Sequence, residues 1–419
     1  MTELCQRRET CRLCGSDSLT QVLSLTPTPP ANAFVAAEAL DAPQACFPLD
    51  VFFCEDCGHV QLLDVVDPAL LFENYVYVSG TSPVFVKHFE DYAGEVVRRF
   101  VTGPAGALAG SLAIDIGSND GTLLAAFKGL GLSVLGIDPA REIAADATAR
   151  GIETRAAFFD STLARQLADE RGRARVITAN NVFAHADDLR DIVTGIGDLL
   201  AADGVFVFEV SYLVDVYENT LFDTIYHEHL AYHSVKPLLR FFAANGLKLF
   251  AAERVGSHGG SLRGFVGHAD GPWDEDGSVA GLIRHEQTLG LDKAETLVAF
   301  AKKIDALKAE LGEILTAIKA KGGTIAAFGA PAKATTLMYH FGFGPEIVDF
   351  IIDDSPLKQG LYSPGMHIPV LPSSALYERN PDATIILAWN FAEPIIANHA
   401  AYQQAGGQFI IPLPSVEIR

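Results

Sequence analysis

The chain reads as an α/β protein of three units: a small cysteine-bearing N-terminal unit, a central doubly wound Rossmann-like sheet, and a second Rossmann-like unit at the C-terminus. Three observations predict this. Two CxxC pairs stand near the N-terminus, short apolar runs alternate with amphipathic stretches from Leu112 to Glu209, and a second alternation follows residue 323. The expected boundaries are 1–80, 81–250 and 251–419.

In the first unit, Cys11-Arg-Leu-Cys14 and Cys54-Glu-Asp-Cys57 offer four thiolates, enough to fill every position of a tetrahedral zinc ion, so the metal would be structural. All six cysteines, at 5, 11, 14, 46, 54 and 57, fall in the first sixty residues, which is not how disulfides for 419 residues would be spread. No strand and helix context surrounds either pair, which disfavours a redox centre. Residues 15–80 are apolar and acidic, and 31 Lys and Arg against 52 Asp and Glu give the chain a net charge of −21, which excludes a nucleic-acid binder working by bulk charge. The opening MTELCQRRETC has no signal-peptide core and no stretch is long enough to span a bilayer, so a cytoplasmic protein without a membrane partner is expected.

In the second unit, LAIDIG, SVLGID, RVITANN and VFVFEV read as parallel strands, with helices between them. The first strand turns into its helix through Asp115-Ile116-Gly117-Ser118-Asn119-Asp120-Gly121, where Gly117 and Gly121 let a ligand approach the backbone. This is not GxGxxG, and its acidic residues make a poor seat for a pyrophosphate. Asp138, ending the second strand, suits two ribose hydroxyls. A nucleoside carrying ammonium and sulfonium but no phosphate, S-adenosylmethionine, meets these constraints. Asp115 is then expected near its positive amino-acid end and Asp138 near its ribose. Asn119 belongs to the turn, Phe159 either flanks adenine or is plain core, and Asn180 at the fourth strand end faces the methionine part.

Residues 210–295 are less regular, with a His- and aromatic-rich run from Leu221 to Ser234 and a Gly-rich run from Val255 to Gly264. A helix is predicted from Leu297, Phe300, Ile304, Leu307, Leu311, Ile314 and Ile318, ended by Lys-Gly-Gly at 321–323. The strands TIAAFGA, EIVDFIID and ATIILAWN then form the third unit.

Taken together, the CxxC pairs, DIGSNDG, YHEH, HGGSLR and FGAPAK to AWN occur in an order that resembles the sugar C-methyltransferase family over nearly the whole chain. The resemblance implies a class I methyltransferase fold with S-adenosylmethionine in the middle unit, structural zinc in the first, and a third unit contributing to a nucleotide-sugar site. The implied reaction removes a proton beside the keto group of a nucleoside-diphosphate 4-keto-deoxysugar and methylates the enolate, at C3, with C5 chemically open. The small-molecule sugar nucleotide would be the partner, with no nucleic acid and no membrane, and the oligomeric state is left open, a monomer being plausible.

Such chemistry needs a base and an oxyanion stabiliser. If the run 222–229 turns helically, Tyr226 and His229 share a face; if it is extended, His227 and His229 do. The resemblance implies His229 as base, Glu228 and Tyr226 as orienting or polarising groups, Tyr77 and Tyr75 closing over the sugar, and no catalytic role for His227. His185 is a second base or an enolate stabiliser. A second metal on His227, His229 and His233 lacks HExxH spacing. His258, Gly259 and Arg263 are expected to meet a diphosphate, Lys333 to favour an anion at a helix start, and Asn390 to read the base or sugar. Two rivals remain: a NAD-dependent nucleotide-sugar oxidoreductase or epimerase, and a non-catalytic zinc-bearing scaffold.

Overall fold

The computed structural model describes residues 4–72, 83–101 and 110–419. The first unit holds β1 (Cys5–Arg7), β2 (Leu19–Thr28), β3 (Phe47–Cys54), β4 (Val60–Leu62) and β5 (Asp64–Val66). In β3, Phe47, Leu49, Val51 and Phe53 recur at period two and are buried, so one face of the antiparallel β2-β3-β4 sheet is core.

The second unit contributes β6 (Leu112–Ile116), β7 (Ser133–Asp138), β8 (Thr154–Ala156), β9 (Ala174–Asn180), β10 (Leu200–Ser211), β11 (Ala231–Tyr232), β12 (Leu247–Val255) and β13 (Ser261–His268). Seven of these form one sheet in the order β12-β13-β10-β9-β6-β7-β8. The strands β6 to β10 pair in parallel, and β13 runs antiparallel between β10 and β12. Strand order reverses at β6, and in such sheets the crevice beyond the carboxyl ends at that point receives ligands. The position 250/251, where a boundary is expected, falls inside β12, and the sheet runs on to His268 because β12 reaches it only through β13. The eighth strand, β11, leaves its own sheet and pairs antiparallel with β4 of the first unit.

The third unit has β14 (Ile325–Phe328), β15 (Phe350–Ile352), β16 (Val370–Leu371), β17 (Ala383–Ile386), β18 (Gln408–Ile411) and β19 (Glu417–Ile418), ordered β16-β15-β14-β17-β18-β19, with only β19 antiparallel. It is the second Rossmann-like sheet that the sequence predicts. The predicted helix runs Ala294–Ala320 and packs against β2. Leu297, Phe300, Ile304, Leu307 and Leu311 are buried as expected, but the stripe then moves to Leu315 while Ile314 and Ile318 are half-buried. The cause is that 3.6 residues per turn falls behind a strict seven-residue repeat. Among the described residues no helix is long and apolar enough to cross a membrane.

Candidate active site and zinc centre

The four sulfurs of Cys11, Cys14, Cys54 and Cys57 lie within 4.8 Å of one another, with Cys11–Cys57 at 3.7 Å and Cys14–Cys54 at 3.5 Å. A disulfide needs about 2.05 Å. Four Zn–S bonds of about 2.3 Å in tetrahedral array put sulfurs about 3.8 Å apart, so the set fits zinc. The thiols also show what the cation would relieve. A hydrogen bond from Cys57 draws Cys11 down to about 5, while burial holds Cys14 up at about 11 and the same Cys11 contact drives Cys57 higher still. No such cluster forms on His227, His229 and His233 among the described residues.

At the carboxyl end of β6, Gly117 (φ 68°) and Gly121 (φ 79°) are left-handed, and a Cβ on Gly117 would stand 2.2 Å from Val182. The Gly117 amide donates to the Ile137 carbonyl on β7 (2.7 Å), which folds the turn over that strand. Asp138 accepts from the amides of Asn119 (2.8 Å, Oδ2) and Ala140 (2.9 Å, Oδ1), keeping a second lone pair on each oxygen. Asn180 ends β9 beside Tyr92, and among the described residues its enclosed amide makes no hydrogen bond of ordinary geometry. The bare glycine turn, the Asp138 lone pairs and the unsatisfied Asn180 amide fit a nucleoside with a polar tail, as S-adenosylmethionine is.

Two cofactor expectations shift in detail. Asp115 sits within β6, 4% exposed, and its Oδ1 accepts from Thr178 of β9 (2.6 Å). Burial pushes its carboxyl up to about 7. The folded state therefore holds a proton that the unfolded chain has released, and stability falls as pH rises from about 4 to 7, by at most about 4 kcal/mol. Asp115→Asn keeps an acceptor for Thr178 and is expected to flatten that decline, as denaturant midpoints across pH 4 to 8 would read. Phe159 is core rather than a cofactor-facing ring. It is 8% exposed and belongs to the hydrophobic core, whereas its neighbour Phe158 is the exposed aromatic of that turn at 48%.

The YHEH run settles as a turn, with the His229 amide donating to the Tyr226 carbonyl (2.8 Å). This brings the Tyr226 ring against His229, tilted by 34° with centroids 4.1 Å apart, and leaves His227 pointing elsewhere, its Nε2 3.1 Å from the Phe47 carbonyl. Burial pushes His227 down to about 4. His185, from the loop after β9, stacks on His229 with ring centroids 5.0 Å apart, so His229 meets both Tyr226 and His185. Burial, with Phe72 stacked against it, and the neighbouring His229 hold His185 well below its ordinary range. The Nδ1 of His229 lies 2.7 Å from the Thr224 carbonyl; since a carbonyl only accepts, Nδ1 carries the proton and Nε2 the lone pair. Glu228 is buried and accepts from Asn32 of the first unit (3.2 Å).

The anion-binding expectations need correction. Arg263 is 5% exposed inside β13 and forks onto Glu209 (2.9 and 3.0 Å), meets Glu253 (3.0 Å) and lies over the Tyr92 ring. It is spent on carboxylates, because a guanidinium buried in a strand needs an internal counter-ion. Lys333 is half-buried, 3.6 Å from Asp223 Oδ2 and 3.8 Å over the Trp389 ring. Gly259 sits in the short turn Ser257–Gly259, and Asn390 is exposed on the turn Trp389–Phe391 after β17. Tyr75 and Tyr77 lie outside the described residues, as does the His258 side chain. Sequence reasoning missed Asn32, Asp223, Thr224 and Trp389; each acts through a partner distant in the chain or through its backbone, and no local spacing marks them.

Three family models match, for a zinc binding domain over residues 11–72, a methyltransferase domain over 88–252, and a C-methyltransferase C-terminal domain over 256–414. The C-methyltransferase NovU of Streptomyces niveus is 34% identical over 418 residues, covering 100% of this chain and 98% of NovU. Among solved structures, magnesium protoporphyrin IX methyltransferase (ChlM) from Synechocystis PCC 6803 with bound SAM is 15% identical, covering 47% of this chain and 86% of its own, with a TM-score of 0.33. An S-adenosylmethionine-dependent methyltransferase from Clostridium acetobutylicum ATCC 824 is 14% identical, covering 44% and 92%, at 0.35. Those two scores are too low to add to the strand order seen directly. With all three units matched and a curated relative aligned end to end, the chain belongs to the zinc-bearing, S-adenosylmethionine-dependent C-methyltransferases.

Proposed function

We propose that the methyl acceptor is carbon beside the keto group of a nucleoside-diphosphate 4-keto-deoxysugar, at C3, with His229 as the base. The observation that carries this reading is His229 in contact with both Tyr226 and His185, with the Thr224 carbonyl holding its Nδ1 proton. A carbon acid needs a base with a lone pair, and with Nδ1 donating to the Thr224 carbonyl the neutral ring of His229 carries it on Nε2. His185, whose burial disfavours the imidazolium, suits the enolate oxygen as a neutral donor. Tyr226 polarises the same oxygen through its hydroxyl, and Glu228, tied to Asn32, holds the turn. S-adenosylmethionine, when bound, supplies the electrophilic methyl carbon. Asp138, Asn180 and the Gly117 to Gly121 turn orient it, with Asp115 and Phe159 packed behind them.

With Arg263 and Lys333 both committed to carboxylates, recognition of the diphosphate and sugar falls in this reading to Gly259, Asn390, His258, Tyr75 and Tyr77. The test is a panel of nucleotide-linked keto-deoxysugars incubated with trideuteromethyl S-adenosylmethionine and read by mass spectrometry. One 4-keto member is expected to gain the labelled methyl, placed on C3 by NMR of the product. Labelling at C5 corrects the position, and no labelling of any member by protein that binds the methyl donor refutes the sugar assignment.

A further inference from the structure

The residue that fixes the proton on His229 is itself held from another unit. Thr224 lies in the short 3-10 turn Phe222–Thr224, and both of its neighbours are gripped by the C-terminal Rossmann-like unit. On one side Asp223, fully buried, accepts from Trp389 Nε1 (2.6 Å) and pairs with Lys333 Nζ (3.6 Å) on the same oxygen. On the other, the Ile225 carbonyl accepts from the hydroxyl of Thr336, also fully buried (2.8 Å). Phe222 stacks on Phe341 at 5.1 Å, adding an apolar contact to the same helix, Lys333–Phe341. A peptide tethered at both flanking residues cannot rotate its carbonyl freely, because the backbone has only two soft dihedrals per residue.

We infer that Trp389, Lys333 and Thr336 are positioning residues for the base: by clamping Asp223 and Ile225 they aim the Thr224 carbonyl at His229 Nδ1 and so keep the lone pair on Nε2. The C-terminal unit thereby sets the tautomer of a histidine it does not carry. Lys333, which sequence reasoning offers to an anion, pairs with the buried Asp223 instead. This inference rests on the reading of His229 as base only for its effect on rate, and its effect on the ring proton can be measured separately.

The experiment uses the full-length protein labelled with 15N-histidine, in which long-range proton–nitrogen correlation reports which ring nitrogen of His229 is protonated, the signal being assigned by its loss in His229→Asn. Trp389→Phe and Thr336→Val each remove one donor of the clamp. In both, the Nε2–H form of His229 is expected to appear and kcat to fall about tenfold or more, with KM for S-adenosylmethionine within about twofold of the parent. Thr336→Ser, which keeps the hydroxyl, restores the Nδ1–H form and the rate. If Trp389→Phe does not fold, Thr336→Val and its serine counterpart carry the test. Folded variants in which His229 keeps the Nδ1 proton overturn the inference. A tautomer that shifts while kcat holds supports the clamp and counts against His229 as base.

Discussion

His229→Asn should lower methyl transfer by about 10²- to 10⁴-fold, the usual contribution of a positioned general base. Asparagine can still donate to the Thr224 carbonyl, 2.7 Å from the histidine Nδ1, so the turn keeps its anchor while the basic nitrogen is lost. Binding of S-adenosylmethionine, read by calorimetry, should stay close to the parent, because the cofactor elements belong to β6, β7 and β9. The sharper readout is exchange of the substrate carbon-bound hydrogen with deuterated solvent in the absence of methyl donor, which should vanish with the base. If transfer and exchange both persist at parental rate, His229 is not the base.

Loss of zinc should have the larger effect on stability. Structural zinc in small peptides contributes about 10–16 kcal/mol of apparent binding free energy at pH 7, much of which is folding energy. Cys54→Ser or Cys57→Ser leaves three sulfurs around the ion, and we expect the metal to be lost and Tm to fall on the order of 10 °C for a chain this size. Activity should fall with it. The zinc-held sheet pairs with β11 immediately after the YHEH turn, Asn32 holds Glu228, and the Leu62 amide donates to the Leu230 carbonyl next to His229 (3.0 Å). Metal analysis of the purified protein and thermal unfolding with and without chelator check this; an unchanged Tm in the serine variants would sink a structural role for the cluster.

What could be read from the sequence is what depends on local spacing. The CxxC pairs, the DIGSNDG turn and the period of the 294–320 helix are each specified within a few residues, and the structure has them in the expected places. The offset between Tyr226 and His229 was legible as one of two options, and the choice rested on a backbone hydrogen bond that no pattern encodes. What could not be read is where a charge is neutralised. Arg263 looks like a phosphate ligand until Glu209, 54 residues away, is placed beside it, and Lys333 until Asp223 is. Phe158 and Phe159 are identical as letters and differ only in which way the turn before the helix Ser161–Arg171 points them.

The short strand β11 has a further consequence. Since it is encoded in the middle of the chain yet completes the sheet edge of the zinc-bearing region, a chimaera importing that region from a distant relative would present a mismatched edge two residues beyond the histidine. Diversification of such enzymes is therefore easier by altering loops than by shuffling whole modules, and a designer wishing to redirect this catalyst should graft surface segments onto an intact tripartite frame.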